Sequence, residues 1–476
     1  MFDLVINRGK IVTSRDVLFA NIGIKDGTIR VIGDTSLNGK QTIDANGKIV
    51  MPGAIDPHTH FSLPNADDFE SGSISAACGG VTTYIDFAVQ EREPRKSVRS
   101  EVEKLREVAD KTSAVDYSFH AAVTDPGETT LEEISSIIQM GIPSIKFYLT
   151  YKRWDMDVNL GLLYDAMKEI EKHNGLAFVH AEHDQIIHYL REKYLDSRDQ
   201  YNLKFHGKSR PDFTEEISMK DSIILSRETG APLYLAHVST AKGVELVRRA
   251  KSEGMPVYAE TGLHYLFFTE EKLTEEEGGL YFMSPPLRKK KDITALWKGL
   301  EDGTIDSVIS DHSPHMKRDK LQDPRFGYSK DGEEFAIPPG FTGIEERVPL
   351  IYTKGVVEGK LSLNQLVRLV SSNSAAIFGI ENKGDIKVGY DADIMILDPS
   401  TESRINISDL HTNSDYTIYE GISVKGASIT TLLRGDVIVK EGKYVQEEPQ
   451  GEFIPRQIME KDGISVDKIR KEDSHE

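Results

Sequence analysis

Residues 49–60 read Ile49-Val-Met-Pro-Gly-Ala-Ile-Asp-Pro-His58-Thr-His60, a short apolar run that ends in an aspartate and two histidines. A buried strand has this texture, and the polar cluster falls where the strand runs out. Further apolar runs follow at intervals: Val81-Thr-Thr-Tyr-Ile-Asp-Phe, Asp116-Tyr-Ser-Phe-His-Ala-Ala-Val, Ser144-Ile-Lys-Phe-Tyr-Leu, Leu176-Ala-Phe-Val-His, Pro232-Leu-Tyr-Leu-Ala-His, Val257-Tyr-Ala-Glu and Ser307-Val-Ile-Ser-Asp. Amphipathic stretches lie between them, among others Ser97 to Asp110, Leu131 to Met140, Glu215 to Arg227 and Lys242 to Lys251. With the run from Ile49 to Asp56 as the first, eight strands alternate with helices. That alternation predicts an α/β protein built on a (β/α)8 TIM-type barrel over residues 53–385, or failing that an open doubly wound sheet.

Outward from the barrel the texture changes. Asp3-Leu-Val-Ile-Asn-Arg-Gly-Lys-Ile-Val and Ile22-Gly-Ile-Lys-Asp-Gly-Thr-Ile-Arg-Val-Ile carry strand and hairpin signals, and these return in Gly389-Tyr-Asp-Ala-Asp-Ile-Met-Ile-Leu-Asp and Ile429-Thr-Thr-Leu-Leu-Arg-Gly-Asp-Val-Ile-Val. Neither segment can bury a core alone, so residues 1–52 and 386–445 are expected to form one discontinuous β-sandwich domain from both chain ends. Residues 446–476 are polar and read as an exposed C-terminal tail. Ser313 to Gly343, rich in Pro, Gly and charge, reads as a long loop over the barrel mouth.

The chain has 476 residues, 38% apolar and 28% charged, which suits a soluble two-domain protein. A formal charge of -19 repels nucleic-acid phosphates and anionic lipid, so neither is an expected partner. The single cysteine, Cys78 in Ala-Ala-Cys-Gly-Gly, precludes an internal disulfide and reads as a small packed residue. No cationic, apolar leader opens the chain and no apolar run approaches the ~18 residues that span a bilayer, so cytoplasmic residence is expected.

The chemistry lies in where the polar residues fall. His58 and His60 follow the first barrel strand, Lys146 lies in the fourth, His180 ends the fifth, His237 the sixth and Asp311 the eighth. Strand C-termini of a barrel converge on one mouth, so these groups should meet. His58 and His60 are two apart, which puts both imidazoles on one strand face, able to bind one metal. Singly, each histidine would read as a satisfied core residue or a turn residue. Four histidines and an aspartate at one end of the barrel do not fit that reading. Lys146 is unusual, because an ammonium adds positive charge where a metal needs anionic ligands. Either its stem packs while the amine snorkels to solvent, or carbon dioxide has turned the amine into an anionic carbamate.

The set His58, His60, Lys146, His180, His237 and Asp311 resembles the metal-binding signature of the amidohydrolase superfamily. More narrowly, the chain resembles the cyclic amidases, the dihydropyrimidinase and hydantoinase group. The segments that carry this are Met51-Pro-Gly-Ala-Ile-Asp-Pro-His-Thr-His, Thr83-Tyr-Ile-Asp-Phe-Ala, Asp116-Tyr-Ser-Phe-His, Ile145-Lys-Phe-Tyr-Leu-Thr-Tyr-Lys, Val179-His-Ala-Glu, Ser284-Pro-Pro-Leu-Arg and Val388-Gly-Tyr-Asp-Ala-Asp. The match runs from about Leu4 to about Arg456.

The resemblance implies two divalent ions, zinc first and manganese or cobalt as alternatives. His58, His60 and Asp311 would hold one and His180 and His237 the other, with carbamylated Lys146 (N6-carboxylysine) and a hydroxide bridging them. It implies hydrolysis of a cyclic ureide to an N-carbamoyl amino acid, with Asp311 as base and then acid and Tyr151 donating to the developing oxyanion. Ser284 would hold the ring through backbone groups. A homo-oligomer, tetramer or dimer, is expected on the same analogy.

Two segments depart from the pattern. Pro339, in Ile337-Pro-Pro-Gly-Phe-Thr-Gly, stands where the family usually has Asn; it lacks an N–H to offer the ring. Glu260-Thr-Gly-Leu-His-Tyr-Leu replaces the usual Cys-Pro at Gly262-Leu263, and His264 reads there as a helix-start or loop histidine. Dihydroorotases carry an arginine after the His-x-His pair, whereas Phe61-Ser-Leu63 follows here, so an uncharged ring fits better and the apolar pair suggests tolerance of a hydrophobic substituent. The remaining alternatives are an allantoinase or dihydroorotase-like cyclic amidase, a mononuclear deaminase without need of Lys146, and a non-catalytic scaffold relative.

Overall fold

Gly53 divides the apolar run that opens the barrel. In the computed structural model, which describes residues 1–91, 96–195, 203–321, 337–427 and 429–458, Ile49–Pro52 belongs to one sheet and Ala54–Thr59 to another. The expectation of a single strand from Ile49 to Asp56 is therefore corrected: the chain changes sheets at Gly53, where a Cβ would lie 2.1 Å from the Thr82 hydroxyl. Only glycine allows that approach, and a sequence period gives no sign of it.

The barrel strands are Ala54–Thr59 (β1), Val81–Val89 (β2), Asp116–Ala122 (β3), Ser144–Tyr148 (β4), Leu176–His180 (β5), Leu233–Leu235 (β6), Val257–Gly262 (β7) and Ser307–Ile309 (β8). They form an eight-stranded sheet in chain order, every ladder parallel. An isolated parallel bridge between Thr59 and His312 draws the first and last strands together. Strands covered on both faces read as continuous apolar runs, which is why they were visible in the sequence.

The helices between them are amphipathic. Leu160–Lys172 begins at Asn159, whose side chain accepts from the Leu162 amide, and buries Leu163, Ala166, Met167 and Ile170. That i, i+3, i+4, i+7 spacing turns one stripe to the barrel. Burying each large member contributes about 1.5–3 kcal/mol, and the cap about 1 kcal/mol. No helix of the described residues is long and apolar enough to cross a membrane.

The two chain ends meet in a nine-stranded mixed sheet. Ile49–Pro52 joins them, pairing parallel with Phe2–Val12 and antiparallel with Ile394–Leu397. Leu4, Ile6, Ile22, Ile24, Ile394 and Leu432 form a core beneath this sheet.

Of the segment expected to be an exposed tail, residues 447–449 are exposed but residues 451–458 pack against the barrel. β3 and β4 pair only at Ala121–Ile145 and Ala122–Lys146, so the start of β3 is left without a partner strand on that side. The chain fills the gap: the Tyr117 amide donates to the Glu452 carbonyl (3.0 Å) and the Ile454 amide to the Tyr117 carbonyl (2.7 Å). The Phe453 ring lies 5.8 Å from that of Tyr117. Arg456 is buried, donating to Ser118 Oγ and Ser144 Oγ at 2.9 Å each and to the Phe119 carbonyl. Residues 459–476 lie outside the described residues. So does the middle of the expected mouth loop, of which the ends through Leu321 and from Ile337 are described.

Candidate metal centre

β1 delivers His58 and His60 to the mouth with ring centroids 5.2 Å apart. His58 Nδ1 lies 2.5 Å from Glu260 Oε1, which leaves its Nε2 facing Asp311 Oδ1 at 3.3 Å. His60 Nε2 is 3.2 Å from the same oxygen. Two imidazole nitrogens and one carboxylate oxygen thus share one point, all within 4.8 Å of one another. Asp311 and His237 hold positive φ values of 53° and 30° just past the ends of their strands. Such backbone in non-glycine residues is strained and persists where packing over-determines it.

The second half adjoins the first. His237 stands 5.5 Å from His58 and 4.5 Å from His180, centroid to centroid. His180 Nε2 lies 2.9 Å from Glu182 Oε2, which also accepts from Arg210 at 2.5 Å. The His237 amide donates to Glu260 Oε1 at 3.2 Å, so one carboxylate orients groups in both halves. Lys146 rises from β4 in the apolar wall between, 1% exposed, with Nζ 3.9 Å from the Phe178 ring centre and 4.9 Å from that of Phe87.

Electrostatics favour ligand forms. Burial holds His180 down to about 4 and His237 well below its ordinary range, so both imidazoles are neutral near pH 7. Burial would raise the Asp311 carboxyl, but His58, His60 and His237 outweigh it and keep the group ionised. Burial lowers Lys146 to about 7 against the pull of Glu260 and Asp311.

Several buried polar atoms here lack a hydrogen-bond partner: Lys146 Nζ, His60 Nδ1, His237 Nδ1 and Glu260 Oε2. Orphaned polar atoms are expensive, and their gathering at one point fits residues arranged around an ion. A second cluster, Cys78, Glu345 and His411, also brings three ligand-type atoms together. It needs no ion, because Glu345 already accepts from Ser75, the His411 amide and His411 Nδ1. Burial pushes the Cys78 thiol up, away from thiolate.

Around the mouth, Tyr151 sits in left-handed backbone (φ 73°) with its ring 5.0 Å from that of His180. Burial raises its hydroxyl, which therefore remains a donor at neutral pH. Ser284 is buried with Oγ unpartnered. The Pro339 carbonyl accepts from His315 Nε2 at 3.2 Å, and the two loops touch where the Gly340 amide donates to the Phe282 carbonyl at 3.2 Å. His264 falls at the start of the 3-10 turn Leu263–Leu266, as a helix-start histidine; it is buried against Tyr265 and Phe341, and burial holds it down to about 3.

The expectation that Phe61 lines the pocket is corrected. Its ring packs on Tyr84 and His312, and a Cβ on Gly72 would come within 2.4 Å of it, so it faces a helix rather than the mouth. Leu63 is 37% exposed. Sequence reasoning passed over Glu260 and Glu182 as site residues. Glu260 had a usable signal, a carboxylate near the C-terminal end of an apolar strand, the same sign that marked Asp311.

The profile described as the amidohydrolase family matches residues 49–438. A D-hydantoinase of Ralstonia pickettii is 39% identical over 462 residues, 95% of this chain and 99% of that protein. The solved D-hydantoinase from Bacillus sp. AR9 superposes with a TM-score of 0.90 at 33% identity, covering 96% of this chain and 100% of that one. The dihydropyrimidinase from Brevibacillus agri NCHU1002 gives 0.89 at 31%, covering 96% and 99%.

Proposed function

The chain belongs to the amidohydrolase family, and from that premise we propose that it hydrolyses the ring amide of a cyclic ureide, a dihydropyrimidine or 5-substituted hydantoin, to an N-carbamoyl amino acid. Relatives of 31–39% identity over nearly the whole chain, named hydantoinases and dihydropyrimidinases, support that class. The observation that carries the reading is the partnerless Lys146 Nζ, buried in the wall between His58, His60, Asp311 and His180, His237. A neutral amine is the form that attacks carbon dioxide: the nitrogen lone pair forms the N–C bond, a proton leaves, and an anionic carbamate results. With that change the lysine becomes a ligand.

In this reading His58, His60 and Asp311 would hold one divalent ion and His180 and His237 a second, and carbamylated Lys146 would add an anionic oxygen donor to the site. Imidazole and oxygen donors suit zinc, manganese or cobalt. Bound ions would supply a water acidified enough to attack at neutral pH and would polarise the ring carbonyl. Asp311, ionised at the mouth, accepts the proton of the attacking water and returns it to the departing ring nitrogen. Tyr151 donates its hydroxyl to the oxygen on which charge develops. The backbone at Ser284 holds the ring, while Phe61-Ser-Leu63 brings no cation after His60 to meet a substrate carboxylate.

The test is ring opening by zinc, cobalt and manganese forms across hydantoins, dihydropyrimidines, allantoin and dihydroorotate, with N-carbamoyl products identified by mass spectrometry. Turnover of uncharged rings is expected. Failure to open any of them with stoichiometric metal bound would overturn the proposal.

A further inference from the structure

Lys320 is fully buried, yet among the described residues no carboxylate pairs with it. Its Nζ donates to three backbone carbonyls, Phe282 (2.8 Å), Pro338 (2.7 Å) and Gly340 (2.8 Å). Burial lowers this amine well below its ordinary range, but a neutral amine has only two N–H donors, and three carbonyls within 2.8 Å are satisfied only by the three of an ammonium. The carbonyls come from two separate stretches, the run before Ser284 and the run around Pro339. Such a cradle of converging carbonyls is how proteins hold a small cation, and in this chain the cation is tethered to the lysine stem. The close seat is prepared: a Cβ on Gly279 would lie 2.4 Å from the Lys320 carbonyl.

The neighbouring carbonyls are also taken. Met283 accepts from His206 Nε2 at 2.6 Å, Pro285 from the Tyr265 hydroxyl at 2.5 Å, and Pro339 from His315 Nε2. Within Phe282–Pro285 the described residues offer a donor to every carbonyl except that of Ser284. Among the described residues the Ser284 carbonyl is thus the unfilled acceptor of this stretch, and it lies between carbonyls that fixed side chains hold still.

We propose that Lys320 is a positioning residue for substrate: its ammonium locks the 282–285 and 338–340 stretches at one separation, so that the Ser284 carbonyl stands ready to accept from a ring N–H. This rests on the cyclic ureide reading for the identity of the ring. Lys320 touches neither the metal ligands nor Tyr151 through any hydrogen bond, so its removal loosens ring binding rather than the chemistry. Arginine cannot replace it, because a planar guanidinium fork does not point three N–H groups at one convergent trio.

The experiment compares the metal-loaded wild type with Lys320→Met and Lys320→Gln. In each variant metal stoichiometry is expected to hold, KM for a hydantoin to rise at least tenfold and kcat to stay within about threefold. Deuterium exchange should quicken at the amides of Phe282–Ser284 and Gly340–Thr342 and stay unchanged in β1 and β5. If Lys320→Met does not fold, Lys320→Gln carries the same expectations. A lower melting temperature with unchanged KM overturns the proposal and leaves only a structural role. Loop exchange equal to that of wild type overturns it whatever the substrate. Wild-type protein that opens no cyclic ureide overturns the functional reading instead, and the exchange comparison still decides whether the lock exists.

Discussion

Removing the Lys146 amine should stabilise the metal-free protein while abolishing its activity. In the fold the amine lies among Phe87, Phe178 and Tyr148 with no hydrogen-bond partner, and burial lowers it from 10.5 to about 7. At roughly 1.4 kcal/mol per pH unit that fall corresponds to about 5 kcal/mol of destabilisation. The sign follows from proton counting. Below pH 7 both folded and unfolded chains carry the charge, and the folded state bears the whole penalty. Between pH 7 and 10.5 the unfolded chain keeps the proton that the folded chain has released, so stability rises with pH, and above 10.5 the difference is gone. Lys146→Met replaces the amine with an apolar side chain of similar length that packs on the same rings. The assay is urea denaturation of chelator-treated protein in carbon dioxide-free buffer from pH 6 to 10. The variant should exceed wild type by about 5 kcal/mol at pH 6, with the gap closing toward pH 10. With zinc and bicarbonate present the order should reverse, since only wild type gains from ligation. In Lys146→Ala, where truncation leaves room in the same wall, acetate or propionate should restore part of the lost turnover. A gap that is absent at pH 6, or that does not change with pH, would refute the argument.

Tyr151→Phe should keep full metal content and lower kcat by about 10²–10³, with KM little altered, because one donor to a developing oxyanion contributes at that scale; steady-state kinetics beside metal analysis reads it. Glu260→Gln weakens the acceptor shared by His58 Nδ1 and the His237 amide, so metal affinity should fall about 10–100-fold in a competitive chelator titration while the melting temperature of the metal-free form changes little.

The barrel and the gathering of polar side chains at its mouth were legible because both are written in strand periodicity. A strand buried on two faces is a continuous apolar run, and the residue just past its end sits at the mouth whatever the helices do. His58, His180, His237 and Asp311 could therefore be gathered from positions more than two hundred apart. Phe61 shows where that logic stops. It follows His60 in the chain and shares its end of the barrel, but the strand is over by then, and its ring turns under Gly72 while the two histidine rings face Asp311. Beyond the last strand residue, direction depends on contacts that no period encodes. The same holds for Gly53, whose role is set by Thr82, and for Phe453 to Arg456, whose place is set by a gap between β3 and β4. Lys320 is the sharpest case: a lysine in a charged loop reads as solvated, and only the convergence of three carbonyls from two distant loops makes it an interior cation. What sequence periodicity can place is the set of side chains at the barrel mouth; how the loops above them pack must be seen folded.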